Sequence, residues 1–262
     1  MKLEVITKLP KRKKHVTPLL FVHGAWHGAW CWEKFLPYFA EHGYEVHALS
    51  LRGHGNSEGR DGLRWHSAVN GYVSDAEQVV DSLEQKPVLI GHSMGGYVTQ
   101  KYLEMHDAPA GVLLASIPAS GIFMMMMRFL RQHPWSTLKA LLLMNPWYMV
   151  NKPELVKDAF FSDDFPDSEL ERLFPYIQSE SFRMAMEATF FSLPRPHKVK
   201  TPLLVLAAEN DRVFTLAEER ATAKAYGTKA VVFPNMAHDM MLEKDWHLVA
   251  DKILEWLKTR EL

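Results

Sequence analysis

Short apolar runs recur along the chain at about 3–7, 19–23, 45–49, 87–91, 111–115, 202–208 and 229–233. Runs of this length, such as Val88-Leu89-Ile90 behind Pro87 and Leu203-Leu204-Val205-Leu206 behind Pro202, fit buried strands. Between them, apolar positions three and four apart predict helices over about 33–42, 66–85, 93–106, 215–226 and 243–258. Strands that alternate with helices imply an α/β fold, with a mostly parallel sheet covered on both faces. The stretch from about 118 to 200 breaks the alternation and holds no clear strand. A structureless loop of that length does not fit a compact domain. The segment is therefore expected to fold as helices that leave and re-enter the sheet at its carboxyl edge. The chain divides on this reading into a core of 1–118 and 198–262 and an inserted helical cap of 119–197, with Leu193-Pro194-Arg195-Pro196 as the hinge back.

The cap is rich in Met and Phe. It holds Met124 to Met127, Met144, Met149, Met184 and Met186, and a Phe series that includes Phe123, Phe160, Phe182 and Phe190. Met is unbranched and polarizable and repacks readily around apolar guests. Part of this set is expected to pack the cap onto the core and the remainder to line a pocket. The whole chain has 262 residues and a formal net charge of −1, which gives no electrostatic case for nucleic acid. The basic run Lys11-Arg12-Lys13-Lys14 reads as a solvated hairpin turn between Val5-Ile6 and Leu19-Leu20. A single cysteine, Cys31, forbids an internal disulfide and suits a reducing compartment. The most apolar stretch, Val112 to Met127, is interrupted by Ser116, Pro118, Ser120 and Gly121 and is too short to span a membrane. No apolar signal core precedes the basic run, so a cytoplasmic protein is expected.

Chemistry concentrates at the ends of the predicted strands. Gly91-His92-Ser93-Met94-Gly95 lies between a strand and a helix. A serine at the tip of so sharp a turn is exposed on a strained backbone, and its neighbours two away must be small because strand and helix pass close together. The pattern also fits a plain glycine-rich turn, so its weight rests on three further segments. Leu19-Leu20-Phe21-Val22 ends in His23-Gly24-Ala25, a strand end that can aim a backbone N–H at a substrate oxygen beside the N–H of Met94. Leu203 to Ala208 runs into Glu209-Asn210-Asp211. Lys229 to Phe233 is followed by a loop that carries His238. Open parallel sheets place ligands at this edge. The order Ser93, Asp211, His238 is that of the α/β-hydrolases, and differs from the orders in chymotrypsin and subtilisin. Glu209 is the alternative acid, one residue past the strand.

Over nearly its whole length the chain resembles the α/β-hydrolase superfamily. Ser50-Leu51-Arg52-Gly53-His54-Gly55-Asn56-Ser57 is similar to the loop after an early strand in these proteins. His23-Gly24-Ala25-Trp26-His27-Gly28-Ala29-Trp30-Cys31-Trp32 resembles the branch of plant methylesterases and hydroxynitrile lyases. The resemblance implies Ser93 as nucleophile, His238 as base, Asp211 as its orienting acid, and Ala25 and Met94 as oxyanion-hole N–H donors. It implies no metal and no organic cofactor. The lyases carry threonine where Gly24 stands and lysine where Asp239 stands, and both departures favour an esterase. The expected reaction is hydrolysis of small or medium-sized apolar esters through an acyl-enzyme. Alternatives on the same fold are carbon–carbon bond hydrolysis, thioester hydrolysis, acyl transfer, or a non-catalytic ligand receptor. A carbon–carbon hydrolase of polar diketo acids would be expected to place cationic residues in its pocket, and Arg128, Arg131 and Arg183 of the cap are the candidates.

Overall fold

In the computed structural model, which describes residues 1–66 and 68–262, the apolar runs assemble into one seven-stranded sheet. The strands are β1 (Glu4–Lys8), β2 (Leu19–Val22), β3 (Val46–Ser50), β4 (Val88–His92), β5 (Gly111–Leu114), β6 (Leu203–Ala208) and β7 (Ala230–Phe233). Their spatial order is β1-β3-β2-β4-β5-β6-β7. Strands β2 to β7 pair in parallel, and β1 runs antiparallel to β3. Every residue of β2, β3, β4, β5 and β6 is buried. Continuous apolar runs, rather than alternating ones, are what a parallel sheet covered on both faces requires.

The expected hairpin around Lys11 to Lys14 does not form. β1 pairs with β3, with Glu4 opposite Ser50 and Lys8 opposite Val46, while β2 takes the other side of β3. The reason lies in burial. Four of the five β1 residues are exposed, so this strand belongs at an edge, and the wholly apolar β2 needs cover on both faces. Lys13 instead pairs with Glu45 at 2.9 Å.

Helices cover the sheet. α1 (Phe35–Glu41), α2 (Leu63–His66), α3 (Val69–Asp81) and α4 (Met94–Leu103) belong to the first part of the core. The single helix expected over 66–85 corresponds to the end of α2 and to α3; it also includes Ser67, which lies outside the described residues. The next helices are α5 (Phe123–Gln132), α6 (Pro134–Leu142), α7 (Pro153–Phe160), α8 (Asp167–Leu173) and α9 (Phe182–Met186). All fall between β5 and β6, in the stretch where the strand alternation fails. A π-helical turn at Glu187–Phe191 follows α9. α10 (Leu216–Ala225) and α11 (Trp246–Lys258) complete the core. α10 begins with a capping box, in which Thr215 and Glu218 satisfy each other's backbone N–H groups. No helix among the described residues is long and apolar enough to cross a membrane.

This order determines where a ligand can sit. From β2 the chain adds β3 on one side, then crosses to β4 on the other. The carboxyl ends of β2 and β4 therefore flank the point where the direction of winding reverses, the crevice that open α/β sheets use for ligands. His23-Gly24-Ala25 leaves one side of it and Ser93 the other.

The crossing at β4 and α4 is close. A Cβ on Gly95 would overlap the carbonyl oxygen of Val22, and one on Gly91 would overlap that of Gly95. Those contacts are with backbone, which cannot rotate away. Gly95→Ala should therefore cost about 1–3 kcal/mol or more in stability, as overpacking does. A fall in Tm of several degrees, roughly 2–4 °C per kcal/mol for a chain of this size, is the expected readout. An unchanged Tm would show that the turn is looser than these contacts imply.

Candidate active site

Ser93 sits between β4 and α4 with φ 50° and ψ −114°. Left-handed backbone is costly for a residue with a side chain and survives only where its surroundings impose it. Here they do. The Ser93 N–H donates to Leu114 O at 3.0 Å, and its carbonyl accepts from Tyr97 N at 3.1 Å and Ile117 N at 3.0 Å. The side chain is 7% exposed and stands on the wall of a cavity.

His238 and Asp211 come together from the last two strand ends. His238 Nδ1 donates to Asp211 Oδ2 at 2.8 Å, with both side chains almost fully buried. The other carboxylate oxygen, Oδ1, accepts from Val213 N at 2.7 Å and Phe214 N at 2.9 Å. Those two amides hold the carboxylate in one orientation. A proton on Nδ1 leaves Nε2 as the basic nitrogen of the ring. Phe160 and Phe214 pack against the imidazole with ring centroids 5.9 and 5.5 Å away. His238 lines the same cavity as Ser93, but no hydrogen bond joins them among the described residues. Contacts of this kind often close only when substrate binds. Glu209 is placed elsewhere: it is exposed and accepts from Asn235 N at 3.1 Å.

Ala25 also borders the cavity. Met94 is the first residue of α4, where a helix leaves its N–H groups without intrahelical partners. Next to Ala25, Trp26 has φ 64°, another left-handed residue. Its backbone is held by residues of the 119–197 segment. Trp26 O accepts from Gln178 N at 2.9 Å, and Trp26 N donates to Glu180 Oε2 at 3.3 Å.

Glu180 is a residue that the sequence pattern did not single out. It is 1% exposed and takes hydrogen bonds from His54 Nε2 at 3.0 Å, Tyr72 OH at 2.7 Å and Ser181 N at 2.6 Å. Burial opposes its ionisation, but the neighbouring His54 and these donors outweigh burial and hold the carboxyl below its usual range. Nothing local marks it, because Gln178-Ser179-Glu180-Ser181 reads as a solvated loop.

A second buried carboxylate lies directly after His238. Asp239 Oδ2 accepts from His27 Nε2 at 2.9 Å, and Oδ1 is 3.6 Å from His92 Nε2. His92 Nε2 donates to the His238 carbonyl at 3.0 Å. Burial and the adjacent His238 push the His92 pKa down to about 3, so this ring is neutral. His92, His238 and Asp239 bring ligating atoms within 4.8 Å of one another. His92 Nε2 and His238 Nδ1 are, however, already committed to hydrogen bonds. Gly24 fits here for a steric reason: a Cβ at that position would lie 2.7 Å from His92 Nδ1 and 3.0 Å from the Ser93 Cβ. There is no room for the threonine that hydroxynitrile lyases carry.

The cavity has a volume of about 240 Å³. Its floor is Ser93, His238, His92 and Ala25, and its other walls come largely from the 119–197 segment. Met125, Met126, Met149, Met184 and Met186 line it, as do Phe160 and Phe182. Other members of the Met and Phe series serve elsewhere. Phe161 and Phe165 stack on each other in the interior, at 4.0 Å between centroids, and Phe129 is buried. Among the described residues no Lys or Arg lines the cavity. Arg128 pairs with Glu218 at 2.9 Å and Arg183 with Glu187 at 3.0 Å.

Comparison with known proteins agrees with the fold. Methylesterase 3 of Arabidopsis thaliana is 29% identical over 188 residues, which cover 68% of this chain and 67% of that one. The match to other Arabidopsis methylesterases is shorter, and the chain spans between 32% and 41% of their length. The pyrethroid hydrolase of Sphingobium wenxiniae is 26% identical over 240 residues, 85% of this chain and 81% of that one. The monoacylglycerol lipase of Paleococcus ferrophilus superposes with a TM-score of 0.73 at 21% identity, over 99% of this chain and 100% of that chain, a likeness of fold. The model of the alpha/beta hydrolase family matches residues 19–252, from β2 into α11, and the chain belongs to that family.

Proposed function

We propose that this protein is a serine hydrolase that cleaves carboxylic esters of small or medium-sized apolar substrates through an acyl-enzyme. The enzyme is a hydrolase of the carboxylesterase type. The observation that carries the mechanism is His238, hydrogen-bonded to Asp211, on the wall of the cavity that also presents Ser93. His238 Nε2 takes the Ser93 proton as Oγ attacks the ester carbonyl. Asp211 keeps the proton on Nδ1 and stabilises the imidazolium that forms. The N–H groups of Ala25 and Met94 receive the developing oxyanion, where each donor is worth about 3–4 kcal/mol. The protonated His238 then gives its proton to the departing alcohol. Water, activated by the same nitrogen, releases the acid.

An apolar acyl or aryl group fits the Met and Phe walls, and the lack of a cationic wall disfavours a polar diketo acid. Relatives named methylesterase and pyrethroid hydrolase support an ester as the substrate class. The lone buried thiol, Cys31, suits a reducing cytoplasmic compartment.

Ser93→Ala should lower turnover of p-nitrophenyl esters by on the order of 10⁶, with the fold retained by circular dichroism. A fluorophosphonate probe should label Ser93 alone. Turnover by this variant within tenfold of the wild-type value would remove the assignment.

Asp211→Asn should cost about 10⁴ in turnover, because Asn favours the wrong tautomer of His238. His238→Ala should be at least as damaging. Glu209→Gln, a change at an exposed carboxylate, should fall within about threefold of wild type. A larger loss at Glu209 than at Asp211 would reassign the acid.

Met126 and Met186 are half-buried and line the cavity. Alanine at either should change the ranking of acyl chains from acetate to palmitate while leaving acetate turnover close to normal. Shifts of roughly ten- to two-hundred-fold are the ceiling for apolar contacts of this size. A uniform fall across the whole series would place these side chains in a structural role instead.

A further inference from the structure

From Ala108 to Pro153 the chain contains no acidic residue, while it carries Arg128, Arg131, Lys139 and Lys152. Arg128 is neutralised by Glu218. Arg131 and Lys139 are exposed, Lys139 with its ammonium 4.3 Å above the Tyr148 ring. The same stretch exposes apolar side chains that folded proteins ordinarily hide. Nine large ones lie between Phe123 and Met144, too many in one place for the single, scattered exposure that is normal. Trp135 is 83% exposed, Leu142 77% and Phe191, from the π-turn, 75%. Trp135, Leu138 and Leu142 are three and four apart and so share one face of α6.

The exposed apolar set also reaches the cavity. Phe123, Met127, Leu141 and Phe190 are all exposed and all line it. The rings of Phe123 and Phe190 are 6.2 Å apart, and those of Phe190 and Phe191 6.0 Å, which brings α5 and the π-turn together beside the cavity. Glu187, the acid that opens the π-turn, is occupied by Arg183 and by the Val69 N–H at 2.9 Å.

We propose that this face docks onto an anionic lipid bilayer, with the cavity mouth turned toward the lipid. Exposed Trp, Phe and Leu flanked by Lys and Arg are the pairing that interfacial helices use: the apolar side chains enter the acyl boundary and the cations meet acidic headgroups. A second copy of the chain is a poorer occupant. Contact between two such faces would oppose Arg131 and Lys139 to their own copies, with no acid in the stretch to pair them. Docking gives lipid-soluble esters a route to Ser93 that avoids water; this route rests on the ester-hydrolase reading, and the docking itself does not.

The test is cosedimentation of the full chain with phosphatidylcholine vesicles, with and without phosphatidylserine, at low and high salt. Binding is expected to the anionic vesicles and to weaken with salt. The triple variant Trp135→Ser, Leu142→Ser, Phe191→Ser should bind at least about tenfold more weakly. Arg131→Gln with Lys139→Gln should bind roughly thirty-fold more weakly, about fivefold for each cation near an acidic surface. None of these five side chains lines the cavity, so p-nitrophenyl acetate turnover should stay at the wild-type level. Ser93→Ala should bind vesicles normally, which separates a failure of docking from a failure of the hydrolase reading. Three results would overturn the proposal: no binding to either vesicle, equal binding to both, or a concentration-dependent dimer in sedimentation velocity that the triple variant dissociates.

Discussion

Ser93 holds a backbone conformation that costs of order 1–3 kcal/mol for a residue with a side chain, and the surrounding core is arranged to impose it. β4 enters the turn as the fully buried centre of the sheet, paired on one side with β2 and on the other with β5. α4 leaves it with every residue buried. Between the two, Gly91, Gly95 and Gly96 let backbone lie against backbone, and Ser116 fills the space next to Gly96. A strand and a helix both locked by burial leave the intervening residue no relaxed alternative. The strain at Ser93 is thus held by hydrophobic burial on either side of it, and the hydroxyl makes no side-chain hydrogen bond among the described residues.

Around that turn buried carboxylates are held by hydrogen bonds, although Asp239 Oδ1 and His92 Nδ1 have no hydrogen-bond partner among the described residues. Asp211 is fixed by two amides and by His238, Asp239 by His27, and Glu180 by His54, Tyr72, Ser181 and Trp26. Pairs of this kind contribute little net stability, but removing one partner leaves a buried charge exposed to an apolar interior, at about 3–5 kcal/mol. They therefore act as registers. Glu180 ties the inserted segment to the loop that carries Ala25 and Trp26, so two parts of the cavity lining are held by the same carboxylate. Glu219 of α10 is an exception. It is buried with neither carboxyl oxygen hydrogen-bonded, and burial, reinforced by Asp211, pushes its pKa well above the usual range.

The inserted segment divides its apolar side chains three ways. Phe129, Phe161 and Phe165 bind it to the body of the protein. Met125, Met149 and Met184 line the cavity. Trp135, Leu142 and Phe191 face outward. Met side chains in the middle group are unbranched and flexible, and the outward group leaves large apolar side chains in solvent.

The strand order along the chain and the α/β class were legible because a doubly covered parallel sheet demands continuous apolar runs, and each run ended within one residue of its strand. The candidate chemistry was legible for a related reason. In such a sheet every carboxyl end lies on one edge, so Ser93, Asp211 and His238 could be placed at that edge from sequence position alone. The pairing of β1 with β3 was not legible, because a hairpin and an antiparallel edge use the same half-polar strand. Nor was Glu180, whose partners His54 and Tyr72 lie more than 100 residues away and whose own segment reads as solvated loop. Which Met or Phe faces the cavity, the core or the outside was undecided for the same cause. Composition sets how much apolar surface the segment carries, while the angle at which each helix meets the sheet, settled only when distant elements pack, decides where that surface points.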